Sequence, residues 1–200
     1  MPSIYQFKSR FQSLLRPLCI LMARMGITAN QVTLFAMMTS ILMGLWLSLQ
    51  SDSRLPWLIL PLFLLLRMAL NAIDGMLARE FNQQSALGGI LNEVGDVVSD
   101  IALYLPFCLI SNQPAWVIAA VFLAFLTEFI GVLGPAMGAL RRYDGPMGKS
   151  DRAFIYGGFA LFFGFFPALA SWTSALFAVT AGLMLWTCMN RAKGILTRPS

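Results

Sequence analysis

The chain has no histidine and little charge of either sign: 12% of its residues are Asp, Glu, Lys or Arg, against roughly 25% in an ordinary soluble domain. Without imidazole, proton transfer falls to carboxylates or other groups, and histidine-ligated metal chemistry is excluded. Cysteine is scarce as well. Cys19, Cys108 and Cys188 sit in apolar stretches without ligand-like spacing, so they read as buried small hydrophobes, not as a disulfide or a zinc site. No basic run is interleaved with exposed aromatics, so the net charge of +5 does not describe a nucleic-acid surface. A secretory leader is not expected. Arg24 interrupts the apolar patch that follows Lys8, Arg10 and Arg16, and no small-x-small cleavage site comes after it.

Hydrophobic residues fill the space that charge leaves, at 58% of the chain. That balance predicts a single all-α integral membrane domain. Residues 3–24 place Ile4, Phe7, Phe11, Leu14, Leu15 and Leu18 at helical spacing, with Lys8, Arg10 and Arg16 on other faces. This predicts an amphipathic helix lying in the membrane interface, a reading compatible with a surface helix packed on the bundle. Six apolar stretches follow, at about 31–50, 57–79, 88–110, 115–140, 153–170 and 173–189, each near the ~20 residues that cross a bilayer core. The expected organisation is therefore an interfacial helix over 1–25, a bundle of six transmembrane helices over 26–190 and a cytoplasmic tail over 191–200. Arg54 is the only cation expected on one side and Arg67 lies within a stretch; the other twelve of the 14 Lys and Arg residues fall on the side of the termini. The positive-inside rule then makes both termini cytoplasmic.

The informative stretch runs from Asn71 to Asp100. Asn71, Asp74 and Ala78 share one helical face, and Gly88, Asn92, Asp96 and Asp100 recur every four residues on the next apolar stretch. Intramembrane carboxylates are costly and usually functional. Two facing helices with carboxylate and amide oxygens suit Mg²⁺, Mn²⁺ or Ca²⁺, and nothing here suits a soft metal. Gly75, Ala78 and Gly88 leave room for a bulky ligand or for close helix contact, and Arg79 has the geometry to hold a phosphate. Such a site fits metal-assisted phosphoryl-type transfer. The plainer alternative is a set of buried polar helix contacts without catalysis.

Asp74-Gly75-x-x-Ala78-Arg79, then eight residues, Gly88, three residues, Asn92, three residues and Asp96 resembles the signature of the CDP-alcohol phosphotransferases. The segment Ile27-Thr28-Ala29-Asn30-Gln31-Val32-Thr33 is similar to the family's TPNxxT lead-in to the first span, with Ala29 for proline. The resemblance implies a bacterial inner-membrane enzyme of phospholipid synthesis. In that reaction an acceptor alcohol attacks the β-phosphate of a CDP-linked lipid such as CDP-diacylglycerol, and CMP leaves. It further implies Mg²⁺ or Mn²⁺ held by the signature acids, Asp96 as general base, Gly75 and Gly88 making room for nucleotide, and Arg79 supporting the site's charge.

Two positions depart from the family pattern: its first and third aspartates are Asn71 and Asn92 here. Asparagine ligates without charge, so a two-metal site loses anionic complement. Asp100 and Glu93 are the candidate replacements, and three outcomes stay open: a re-ligated two-metal site, a one-metal enzyme, or an inactive relative serving as a lipid- or nucleotide-binding membrane subunit. In the loop 141–152, Lys149 and Arg152 are expected near the site's cytoplasmic mouth, where they resemble the basic segment of members that take phosphorylated acceptors. Glu128 is expected to pair with Arg67 or a loop cation. Gly134-x-x-x-Gly138 and Gly157-Gly158 are small-residue faces for packing within the bundle or, less naturally, for a homodimer. Transport is disfavoured because the acids crowd one end and no broken-helix repeat is visible.

Overall fold

A computed structural model describes residues 4–197, with side chains from residue 11 onward. The expectations for the side chains of Ile4, Phe7, Lys8 and Arg10, and for the tail cation Arg198, fall outside the described residues. The described chain is helical throughout, without strands: α1 (Ile4–Arg24), α2 (Ala29–Leu49), α3 (Arg54–Glu80), α4 (Ala86–Tyr104), α5 (Pro114–Ala136), α6 (Lys149–Phe165) and α7 (Thr173–Leu196). Short 3₁₀ turns cover Leu105–Leu109 and Pro167–Trp172.

Local chemistry sets the helix ends. Gly26 takes φ +76°; the Ile27 N–H donates to Met22 O and the Gly26 N–H to Ala23 O. This is a Schellman stop that only a residue at ease in the left-handed region closes cheaply. Thr28 then starts α2 through a reciprocal capping box with Gln31. Ser85 caps α4 by accepting from the Gly88 N–H at 3.0 Å. Asp151 reaches back to accept from the Gly148 N–H at 2.8 Å, so α6 begins inside the stretch expected to be loop.

Among the described residues, four helical stretches are long and apolar enough to cross a membrane: α2, α3, α5, and α7 together with the turn before it. The expected count of six rests on α4 and α6 as well. Helix α4 carries three carboxylates, Glu93, Asp96 and Asp100, and α6 has 17 residues, ~26 Å at the rise of an α-helix. The expected third stretch, 88–110, stops being α-helical at Tyr104, because Pro106 in the turn that follows has no N–H to donate. The expected fifth, 153–170, ends at Phe165, just before Pro167, and the sixth continues past residue 189 to Leu196.

Helix α2 lies against α3 and α4, α3 against α6, and α5 against α7. An aromatic core joins them, with Trp57 edge-on to Phe107 and Phe163, and Tyr156 stacked on Phe177 at 4.5 Å. Gly157 sits where a Cβ would come 3.1 Å from Leu64, so α6 can approach α3 closely. Helix α1 uses two faces. Cys19 is buried among Leu15, Met22 and residues of α2 and α3, and Arg16 bridges to Glu80 at 2.9 Å. Leu14, Leu18 and Leu21 form an exposed apolar row on α1, continued by Met25 just past its end, the pattern of a helix lying in an interface.

Candidate functional site

The polar residues of α3 and α4 face each other in successive tiers. Outermost is a cavity of about 380 Å³ between the starts of α2 and α4 and the end of α3; Asp74, Gly75, Ala78, Arg79, Gly88 and Asn92 all line it. Asn30, Thr33, Gln83, Gln84 and Ser85 line it as well. The hydroxyl of Thr33 donates to Asp74 Oδ2 at 2.8 Å, and Gln83 Oε1 accepts from the Ala29 N–H at 2.7 Å. Asp74 is 4% exposed and makes no ion pair among the described residues. Arg79 folds over its own helix, so that a Cβ at Gly75 would lie 3.0 Å from its Nη2. A Cβ at Gly88 would lie 2.7 Å from Asn30 Oδ1, so glycine is what lets α4 meet the first turn of α2.

One turn further along α4, Asp96 meets α3 and α6. Its Oδ1 accepts from Asn71 Nδ2 at 3.1 Å, pairs with the Lys149 ammonium, and lies 3.7 Å from Arg67 Nη2. That guanidinium also donates to the Asp96 backbone carbonyl at 3.1 Å. The faces on which the spacing puts Asn71 and Asp96 thus meet between α3 and α4.

The innermost tier is a buried ion network. Asp100 Oδ1 lies 2.8 Å from Arg67 Nη1, and Asp100 Oδ2 accepts from Arg152 Nη2 at 2.9 Å and Nε at 3.1 Å. Arg152 also donates to Thr127 Oγ1, Glu128 Oε1 and the Met147 carbonyl. Arg191 joins through the Thr127 carbonyl and Glu128. Arg152 is 0% exposed, so it does not stand at the mouth where the sequence places it. A guanidinium with five donors is well suited to close such a network in the interior. Of the expected pair, only Lys149 keeps partial exposure, at 24% of its side chain. Glu93 is held by Arg141, with Nη2 at 2.9 Å from Oε2. Both replacement carboxylates are therefore already neutralised by arginine. Glu128 pairs with the loop cation Arg141 as well as with Arg152, and not with Arg67.

Asp74, Asn71, Asn92 and Asp96 offer hard oxygen donors, and that donor chemistry fits a divalent Mg²⁺ or Mn²⁺. The set is thin: among the described residues no three acidic, histidine or cysteine side chains gather as a metal site. The arrangement has room for an elongated polar ligand above Asp74, a cation at Arg79 for its phosphates, and a carboxylate at Asp96 for a proton. Thr33 and Asn30 escaped the sequence reading of the site because neither is charged, although both lie in the segment that resembles the family's lead-in. Thr33→Val is expected to cost about 1–3 kcal/mol by stranding a buried carboxylate oxygen without its donor, read as a lower unfolding temperature in detergent.

The profile of the CDP-alcohol phosphatidyltransferase family matches residues 26–190. The chain is 48% identical over 195 residues to the inner membrane protein YnbA of Escherichia coli (strain K12), covering 97% of this chain and 96% of that one. Its fold is that of the phosphatidylinositol phosphate synthase PgsA1 of Mycobacterium tuberculosis. The crystal structure with CDP-DAG bound aligns with a TM-score of 0.75 at 20% identity, covering 92% of this chain and 94% of that chain. The structure in complex with manganese and citrate aligns equally well over 92% and 90% of the two chains. With the profile spanning most of its length and the signature residues drawn together between α2, α3 and α4, this chain belongs to the CDP-alcohol phosphatidyltransferase family.

Proposed function

We propose that this protein is a membrane phosphatidyltransferase of phospholipid synthesis. It moves a phosphatidyl, or other substituted phosphate, group from a CDP-linked lipid such as CDP-diacylglycerol to an acceptor alcohol. The observation that carries this reading is the single cavity lined by Asp74, Gly75, Ala78, Arg79, Gly88 and Asn92, with Asp96 one helical turn beyond it. Arg79 and the glycine-lined floor receive the pyrophosphate and nucleotide. Asp96 takes the proton from the acceptor hydroxyl; the hydroxyl oxygen forms its bond to the β-phosphorus, and the bond to the CMP oxygen breaks with the electron pair leaving on CMP. Asp74 with neighbouring amide oxygens would hold a divalent ion, Mg²⁺ or Mn²⁺, which would supply charge neutralisation for a pyrophosphate. On this reading α4 and α6 complete six spans in the inner membrane, and the positive-inside rule favours a cytoplasmic mouth with both termini cytoplasmic.

Purified protein with CDP-diacylglycerol and Mg²⁺ or Mn²⁺ is expected to release CMP when offered the right member of an acceptor panel that includes phosphorylated and unphosphorylated alcohols. Chelation is expected to stop it, and re-addition of the ion to restore it. Absence of CMP across the panel, with CDP-diacylglycerol demonstrably bound, would turn the reading toward a catalytically impaired lipid- or nucleotide-binding subunit. The specific observation favouring that second reading is the pairing of Asp96 with Lys149 beside the neutral Asn71 and Asn92.

A further inference from the structure

Around the site five acids, Asp74, Glu93, Asp96, Asp100 and Glu128, meet six cations, Arg67, Arg79, Arg141, Lys149, Arg152 and Arg191; Arg79 folds over Gly75 and makes no ion pair among the described residues. Four of these acids are ion-paired: Glu93 with Arg141, Asp96 with Lys149, Asp100 with Arg67 and Arg152, and Glu128 with Arg152, Arg141 and Arg191. Asp74 alone of these acids has no ion-pair partner among the described residues, although it is 4% exposed and lines the cavity. A buried carboxylate in that condition calls for positive charge from a ligand. At the next tier the position is already filled, because Lys149 and Arg67 stand on Asp96, and the amides of Asn71 and Asn92 bring no charge to oppose a further divalent ion.

We infer that this chain holds one divalent cation, anchored on Asp74, and that the Lys149 ammonium on Asp96 supplies the positive charge that a second ion would bring. Resting on the function proposed above, this separates the chain from a two-metal design. The Asn71 and Asn92 positions then belong with Lys149 as one exchange: two carboxylate charges are absent, and a fixed ammonium stands in the place of an ion. A second divalent ion near Asp96 would meet repulsion from Lys149 and Arg67 in a region of low dielectric.

The test counts metal on the full chain in nanodiscs with Mn²⁺ and CDP-diacylglycerol, using electron paramagnetic resonance and, in crystals, anomalous scattering. One magnetically isolated Mn²⁺ per chain is expected. Asp74→Asn should weaken it by at least about 10–100-fold, the loss that even an outer-shell partner's removal brings. The triple variant Asn71→Asp, Asn92→Asp, Lys149→Met should take up a second Mn²⁺ coupled to the first. Two coupled ions in the unaltered chain, or an ion whose affinity is unchanged in Asp74→Asn, would overturn the inference. So would CMP release without any bound ion. Two ions with CMP release would sink the inference and leave the proposed function standing, whereas failure to bind CDP-diacylglycerol or to release CMP, with no Mn²⁺ taken up, would remove both.

Discussion

Asp100→Ala is expected to yield a protein that barely survives extraction into detergent. Asp100 is 5% exposed and stands between Arg67 and Arg152, at 2% and 0%, with contacts of 2.8 Å and 2.9 Å. Alanine would leave two guanidinium groups buried against each other with their shared counter-charge gone. Breaking a buried pair by removing one partner costs about 3–5 kcal/mol, a large part of the stability of a typical domain. Thermal unfolding followed by size-exclusion chromatography should show a much lower midpoint and an aggregated fraction. Asp100→Asn should be nearly as damaging, because it keeps the shape and removes the charge. Combining Asp100→Asn with Arg67→Gln should recover part of the loss, as a double-mutant cycle requires of a coupled pair. If Asp100 were instead a metal ligand, Asp100→Asn would be stable and would differ only in Mn²⁺ affinity.

Asp96→Asn is expected to do the opposite, sparing the fold and removing the reaction. The Asp96 side chain is 18% exposed and its Lys149 partner 24%, so the ammonium can turn toward water when the carboxylate becomes an amide. The carbonyl oxygen of an asparagine still accepts from Asn71. What disappears is the proposed base, and loss of general-base catalysis lowers a rate by about 10²–10⁴-fold. CMP release should fall by that factor while CDP-diacylglycerol binding and the unfolding midpoint change little. A variant that loses lipid binding in proportion would instead assign Asp96 to substrate holding.

The outer two tiers were legible in the sequence. Helical spacing put Asn71 with Asp74 on one helix face and Asn92 with Asp96 on another, and the 3.1 Å contact from Asn71 to Asp96 joins those two faces. The innermost tier was harder, because its partners come from α3, α4, α5, α6 and α7, and no local pattern gives a side chain's partner across the bundle. A signal was nonetheless present. Arg67 stands four residues before Asn71, and Arg152 three after Lys149, so each shares a helical face with a residue of the site. Reading Asp100 as a spare ligand overlooked those two arginines. The span limits misled for a different reason: hydropathy continues through Pro106 and Pro167, whereas the α-helical hydrogen-bond ladder does not.

The arginine–aspartate network also has a consequence for how the chain enters a bilayer. By itself α4 brings three carboxylates, and each costs roughly 2.5–3.5 kcal/mol near the centre of an isolated inserting helix. Arg67 on α3 is synthesised before Asp100, but Arg152, the other half of its neutralisation, is synthesised 52 residues after it. On the six-span reading proposed above, α4 is expected to settle in lipid only once α6 has emerged, which would make the order of synthesis part of the fold's assembly.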